Sequence, residues 1–186
     1  FLIRFKMKLI LGVANLVNNY GLNNSFLTKR ALAQIIKKKK IGYLDSAINY
    51  HKANQVLSRL NLKKIKISSK LPNLRKNFDI KRLIFNHLER HLKLINKTTL
   101  EDLFLHDNSV MFSRKGDEVF KILLDLKSQK LVRDIGFSVY DEFEYKYLKN
   151  FYPCKMQVPI NIFNNKFKKI IENEKRIKFQ ARSIFM

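Results

Sequence analysis

The chain has one cysteine, three prolines and five glycines in 186 residues, and only 15 acidic residues against 38 basic ones. Each shortage excludes something. A lone Cys154 cannot form an internal disulfide, which rules out a disulfide-built scaffold and fits a reducing cytoplasm. No run of about 18 uninterrupted apolar residues exists, so there is no candidate membrane-spanning helix and no membrane partner is expected. The opening FLIRFKMKLILG is basic and apolar, but it lacks the long apolar stretch and small-residue cleavage site of a signal peptide. It reads as a lead-in to a first strand, with Met7 as a natural start. No Pro/Gly/Ser-rich linker breaks the sequence, so a single domain over residues 1–186 is expected.

The shortage of acid leaves a formal net charge of +23. A charge of that size invites a nucleic-acid reading. The basic residues are nevertheless spread along the chain, with one tight cluster at Lys37 to Lys40, and lysine outnumbers arginine by 28 to 10. Base-edge and phosphate recognition favour the bidentate arginine fork. The charge therefore reads as a solvated basic surface and no specific nucleic acid is expected, a basic nucleic-acid-binding protein being the reading kept from another functional class. Such a field would still attract an anionic cofactor or substrate.

What is present is enough apolar material for a core, at 46% of the residues with 12% aromatic. Short β-branched or apolar runs alternate with longer stretches of helical period, the pattern of repeated βα units on a parallel sheet. Strands are expected near 8–12, 41–46, 64–69, 100–105, 132–137, 155–160 and 177–182. The clearest helix covers 79–95, with Asp79 as N-cap and Ile80, Leu83, Ile84, Leu88, Leu92 and Ile95 at three- and four-residue steps. Another covers 116–129, with Val119, Ile122, Leu123 and Leu126 on one stripe.

Chemistry-bearing residues fall at the ends of those strands. Asp45 and Tyr50 lie in IGYLDSAINY, Lys70 in IKISSKLP and His106 in LEDLFLHD. Steps of 25 residues from Asp45 to Lys70, 36 to His106, 32 to Ser138 and 19 to Gln157 mostly match one βα unit each. In a (β/α) barrel all strand carboxyl ends open onto one face, so residues distant in sequence converge there. Taken singly each has an ordinary reading: Asp45 a cap, Tyr50 a half-buried aromatic, Lys70 a solvated charge, His106 a hydrogen-bonded loop residue.

Together, D-S-A-x-x-Y, S-K-L-P and L-H-D resemble the catalytic tetrad of the aldo-keto reductases. The resemblance continues through RDIGFSVY and MQVPINIF to the final ARSIFM, and so covers nearly the whole chain. It implies a (β/α)8 TIM barrel, incomplete here at about six to seven βα units, and an NAD(P)H-dependent oxidoreductase that reduces an aldehyde, ketone or sugar carbonyl. In those terms Tyr50 donates the proton, Lys70 lowers the tyrosine pKa, Asp45 holds Lys70, and His106 orients the carbonyl. An ammonium about 4 Å from a phenol is worth roughly 4 kcal/mol at an effective dielectric near 20, or at most about three pKa units. Ser138 and Gln157 take positions that hydrogen-bond the nicotinamide carboxamide in the family, and Asn161 fits its Q-V-x-x-N pattern. Arg182 stands where many members place a tyrosine that stacks on the nicotinamide, and a guanidinium plane can also lie on an aromatic ring. The implied cofactor is NADPH, with NADH as the alternative.

The chain also departs from the family. Val139 replaces the usual asparagine after the serine, and Y-G-x-x-E-x-x-L-G becomes Tyr50, His51, Asn54, Leu57 and Ser58, so two glycines are lost and a changed or strained loop is expected. His87 and His91 are four apart on one helix, but no third ligand accompanies them and no metal site is expected. A complete barrel has eight units and about 250 residues, with the phosphate site after strands seven and eight. The chain therefore reads as the amino-terminal two-thirds of a reductase, with little turnover of its own. A non-catalytic aldo-keto-like subunit that binds cofactor or a protein partner remains the alternative to an enzyme.

Overall fold

The computed structural model describes residues 8–14, 29–38, 41–74 and 79–184. Met7, Lys39, Lys40 and the last two residues of the ARSIFM ending lie outside them. Seven strands form one sheet: β1 (Leu11–Gly12), β2 (Tyr43–Asp45), β3 (Lys66–Leu71), β4 (Leu100–Leu105), β5 (Val132–Ser138), β6 (Lys155–Pro159) and β7 (Lys178–Arg182). They are paired in sequence order and every pair is parallel. Between them run α1 (Lys29–Lys38), α2 (His51–Ser58), α3 (Ile80–Leu94), α4 (Gly116–Ser128), α5 (Glu142–Leu148) and α6 (Lys168–Asn173). Parallel neighbours in strict chain order, each joined by a helical crossover, make a curled, incomplete (β/α)8 barrel. The strands match the sequence-based expectation one for one, with boundaries shifted by at most three residues.

Local sequence explains the elements. β4 reads LEDLFL and is buried at five of its six positions, as a strand covered on both faces requires. α3 starts where Asp79 accepts a hydrogen bond from the Arg82 amide at 2.9 Å, and it buries Ile80, Ile84, Leu88, His91 and Leu92. α4 opens with Asp117 and Glu118 and closes with Lys127, matching the helix dipole at both ends. Gly136 sits where a Cβ would lie 2.6 Å from the Phe104 ring and 2.5 Å from the Lys155 carbonyl oxygen, so the bare backbone of β5 makes room for that fully buried phenyl.

The amino-terminal part of the barrel carries a polar network that sequence reasoning did not foresee. Lys155, the first residue of β6, donates to Asp102 of β4 and lies 2.9 Å from Asp134 of β5. Tyr43, the first residue of β2, donates its hydroxyl to the same Asp102 carboxylate. Lys127 of α4 meets the other Asp134 oxygen at 2.9 Å. Burial works against the Lys155 charge, but hydrogen bonds to both carboxylates outweigh it and hold its pKa above the ordinary lysine value. A half-buried ammonium shared by two carboxylates thus ties β4, β5 and β6 together.

The two lost glycines leave no strain behind. His51 and Ser58 are the first and last residues of α2, and the non-glycine residues of positive φ among the described ones are Asn96, Lys130 and Ser183. The loop accommodates the change by starting its helix directly after Tyr50.

Candidate active site

β2 and β3 lie in register with Asp45 opposite Ser68. The Ser68 hydroxyl donates to Asp45 Oδ1 at 2.9 Å, and Lys70 Nζ donates to Asp45 Oδ2 at 2.6 Å and to the Ser46 carbonyl at 3.2 Å. Lys70 is 5% exposed, so a counter-charge is a physical necessity, and Asp45 supplies it. Ser68 fixes the carboxylate from its other oxygen. The Asp45 to Lys70 pair expected from the sequence is therefore formed.

The loop that carries Tyr50 is tied to β3 by its backbone. The Ser46 amide donates to the Ser68 carbonyl and the Ile48 amide to the Lys70 carbonyl, both at 3.0 Å, and the Tyr50 amide closes a turn onto Ala47 at 3.0 Å. Asn54, fully buried on α2, completes the fastening. Its amide nitrogen donates to the carbonyls of Ala47 at 2.9 Å and Ile48 at 3.1 Å, and its oxygen accepts from the Ser46 hydroxyl at 2.9 Å. Every polar atom of that side chain is engaged in holding the turn below Tyr50, which is half-buried and packed against the core. His51 is exposed.

His106 follows β4 directly, and its amide donates to the Leu71 carbonyl at 3.4 Å. Burial lowers its pKa, the charges of Lys70 and Arg182 lower it further, and Asp45 and Asp107 act in the opposite sense. The imidazole is thus neutral at pH 7. Asp45 ends β2, Lys70 is next to last in β3, His106 follows β4 and Arg182 ends β7, so all four stand at the carboxyl ends of parallel strands. Asp107 accepts from the Ser109 amide at 2.8 Å and from the Asn73 side chain, which fixes the turn beyond the histidine.

Ser138 and Gln157 lie opposite each other on β5 and β6 and are 0% exposed. Ser138 Oγ and both polar atoms of the Gln157 amide are buried without a hydrogen-bond partner. Orphaned polar atoms of that kind are costly in a core and belong where a ligand supplies the partner. A hydroxyl beside an amide offers donors and acceptors together, so these residues fit a carboxamide. Asn108, also buried, donates to the Ser138 carbonyl at 2.8 Å and holds it in place. Val139 is buried and has no polar atom to add. Asn161 is committed elsewhere: it donates to the Ser183 carbonyl at 3.1 Å and accepts from the Phe163 and Asn164 amides at 2.9 Å, tying the loop after β6 to the end of β7. Arg182 lies with its guanidinium 4.2 Å from the Tyr140 ring centroid.

The Aldo/keto reductase family model matches residues 8–183. The chain belongs to that family. Aldo/keto reductases are oxidoreductases, and the fold agrees. The chain superposes on the holo form of an aldo-keto reductase from Bacillus halodurans with a TM-score of 0.68 at 16% identity, over 94% of this chain and 61% of that one. An aldo-keto reductase of Bombyx mori in complex with NADP gives 0.66 at 16% identity, over 94% and 61%. The glycerol dehydrogenase of Gluconobacter oxydans gives 0.70 at 18% identity, over 92% and 58%. The chain spans about three-fifths of the length of these structures. No curated protein matches it significantly.

Within this aldo/keto reductase chain, sequence reasoning missed Ser46, Ser68, Asn54 and Asn108, the residues that hold the named ones. Asn54 left one faint sign, a polar residue beside Ala53 and Leu57 on the buried face of a short helix. Among the described residues no group of three or more His, Cys, Asp or Glu side chains could hold a metal, and no helix is long and apolar enough to cross a membrane. His87 is half-buried and His91 buried on α3.

Proposed function

We propose that this chain carries the carbonyl-reducing end of an NAD(P)H-dependent aldo-keto reductase, with Tyr50 as proton donor and a small aldehyde, ketone or open-chain sugar as substrate. The observation that carries the reading is the buried Lys70 to Asp45 pair, fastened at the mouth beside a neutral His106. A lysine kept in place next to a tyrosine favours the phenolate, which is what a phenol must approach to act as an acid and base near neutral pH. Ser68 and Asp45 hold that lysine, and Asn54 holds the turn that presents Tyr50. His106, neutral, donates one ring N–H toward the carbonyl oxygen and sets its direction.

The nicotinamide cofactor, when bound, supplies the hydride. Ser138 and Gln157 would hold its carboxamide through the orphaned hydroxyl and amide. Arg182 has one guanidinium face on Tyr140 and a second face suited to stacking on the nicotinamide ring. NADPH is preferred over NADH because a strongly basic chain favours the more anionic form.

Titration of NADPH by its own fluorescence tests the cofactor half of this reading. Saturable binding that weakens in Ser138→Ala and Gln157→Leu supports it. Equal binding by the wild type and both variants would move the cofactor away from this mouth.

A further inference from the structure

Arg182 ends β7 at the mouth, and its side chain is used in an unusual way. The guanidinium carbon lies over the Tyr140 ring, 4.2 Å from its centroid, so the head group is packed against that ring. Nε and Nη2 are both buried, and neither has a hydrogen-bond partner. These two nitrogens carry the parallel N–H pair with which an arginine grips a carboxylate side-on through two bonds. Among the described residues no carboxylate is paired with Arg182. Asp45 is bound to Lys70 and Ser68, and Asp107 to Ser109 and Asn73. A charged edge taken out of water without an acceptor is costly, so a position that keeps one is suited to an acceptor that arrives with a ligand. His106 directly follows β4 and Arg182 ends β7, so both stand at the carboxyl ends of parallel strands, the end of the barrel at which the carbonyl compound of the proposed reaction would lie.

We propose that Arg182 is an oxyanion receptor that selects a carbonyl substrate bearing a carboxylate, that is, a short oxo acid or aldehyde acid, with the side-on fork taking the carboxylate while His106 takes the carbonyl. This rests on the reductase reading for the carbonyl and on Arg182 alone for the carboxylate. Stacking of the guanidinium face and donation from its edge are compatible, because the two use different parts of one plane. The diphosphate of the dinucleotide is a second source of the same chemistry.

The test is direct binding without cofactor or turnover. The 186-residue chain is titrated calorimetrically with succinate, with its neutral counterpart succinamide, and with inorganic pyrophosphate, at about 0.15 M salt to screen the basic surface. The expected result is saturable succinate binding that falls about 10- to 100-fold in Arg182→Gln, as loss of a charged double hydrogen bond implies. Succinamide should not compete. Arg182→Lys should recover little, since it restores the charge without the fork, and Tyr140→Leu should weaken binding by freeing the guanidinium plane. Thermal melts report whether each variant is folded, and the lysine and leucine variants serve if the glutamine variant is not. Absence of succinate binding, equal succinate affinity in Arg182→Gln, or restoration by lysine would overturn the proposal. Arg182-dependent binding of pyrophosphate but not of succinate would assign the fork to the cofactor and overturn it equally. Because no reduction is measured, an inactive chain leaves a positive result intact, and a negative result leaves the reductase assignment intact.

Discussion

Lys70 Nζ lies 2.6 Å from Asp45 Oδ2, and the two residues stand at the carboxyl ends of adjacent strands, Asp45 last in β2 and Lys70 next to last in β3. The ammonium is nearly inaccessible, whereas the carboxylate keeps some contact with solvent. Breaking a buried pair by neutralising one member leaves the other charge uncompensated, which is the expensive half of the exchange. Asp45→Asn is expected to cost about 3 kcal/mol, the low end of the range for buried pairs because Asp45 is only partly enclosed. Lys70→Met added to it should recover most of that loss, since the stranded charge is then removed. Urea denaturation of the two single variants and the double variant checks this. Additive losses would mean that the pair is not the source.

The fastening of the Tyr50 turn gives a sharper test, because it depends on chemistry rather than size. Asn54 donates to two backbone carbonyls and accepts from one hydroxyl. Asn54→Asp retains the shape but sets a carboxylate against the Ala47 and Ile48 oxygens. Asn54→Ala only removes the bonds. The aspartate variant should therefore be the less stable of the two, by about 1–3 kcal/mol for an unsatisfied buried charged group. In an active preparation both should lower turnover more than NADPH affinity, since the turn presents Tyr50 and not the cofactor. Denaturation curves read the first effect and steady-state kinetics the second.

The difference between Asp45 and Asn54 shows what the sequence could and could not convey. Asp45, Lys70, His106 and Ser138 stand at or beside strand ends, which repeat with the βα period and so were readable from spacing and motif. Gln157 instead sits in the middle of β6, because that strand starts level with Gly136 and runs past the end of β5. Asn54 and Ser68 act only through neighbours brought together by folding, and their types carry no signal of that. Lys155 was hidden for a different reason. A lysine opening an apolar strand reads as a solvated edge, and only the barrel's curl brings Asp102 and Asp134 of two other strands to it. The glycine losses were expected to leave a changed or strained loop, and of the two the strain is not seen: His51 and Ser58 lie within α2 and neither has a positive φ.

His91 should make the fold acid-sensitive. It is 3% exposed, neither ring nitrogen has a partner, and burial pushes its pKa down to about 4 from the ordinary 6.5. The unfolded chain therefore takes up a proton first as the pH falls. Stability that is complete above about pH 6.5 is lost progressively down to about pH 4, by about 1.4 kcal/mol per unit, or about 2 kcal/mol at pH 5. His91→Leu removes that contribution and leaves those of the carboxylates. Urea denaturation at pH 7 and pH 5 should show a smaller loss in the variant by about that amount. An equal loss in both proteins would mean that His91 is protonated, or exchanges its burial, without cost.

The last prediction concerns Tyr50. Its hydroxyl acts, in the proposed reaction, on the carbonyl oxygen as charge develops there, and has no part in holding the dinucleotide. Tyr50→Phe removes that oxygen and keeps the ring, which packs against the core. Stability should be little changed. The reduction rate should fall by about 10²- to 10⁴-fold, the usual worth of a positioned general acid, with NADPH affinity largely retained. Single-turnover reduction of an aldehyde, followed by NADPH absorbance, separates the chemical step from binding. Lys70→Met should depress the same step by raising the pKa of the phenol and shift the pH dependence to more alkaline values, an effect that a purely structural lysine would not produce. Tyr50→Phe with wild-type rates against a broad panel of carbonyl compounds would remove the proton donor from this site and favour a chain that binds without catalysing.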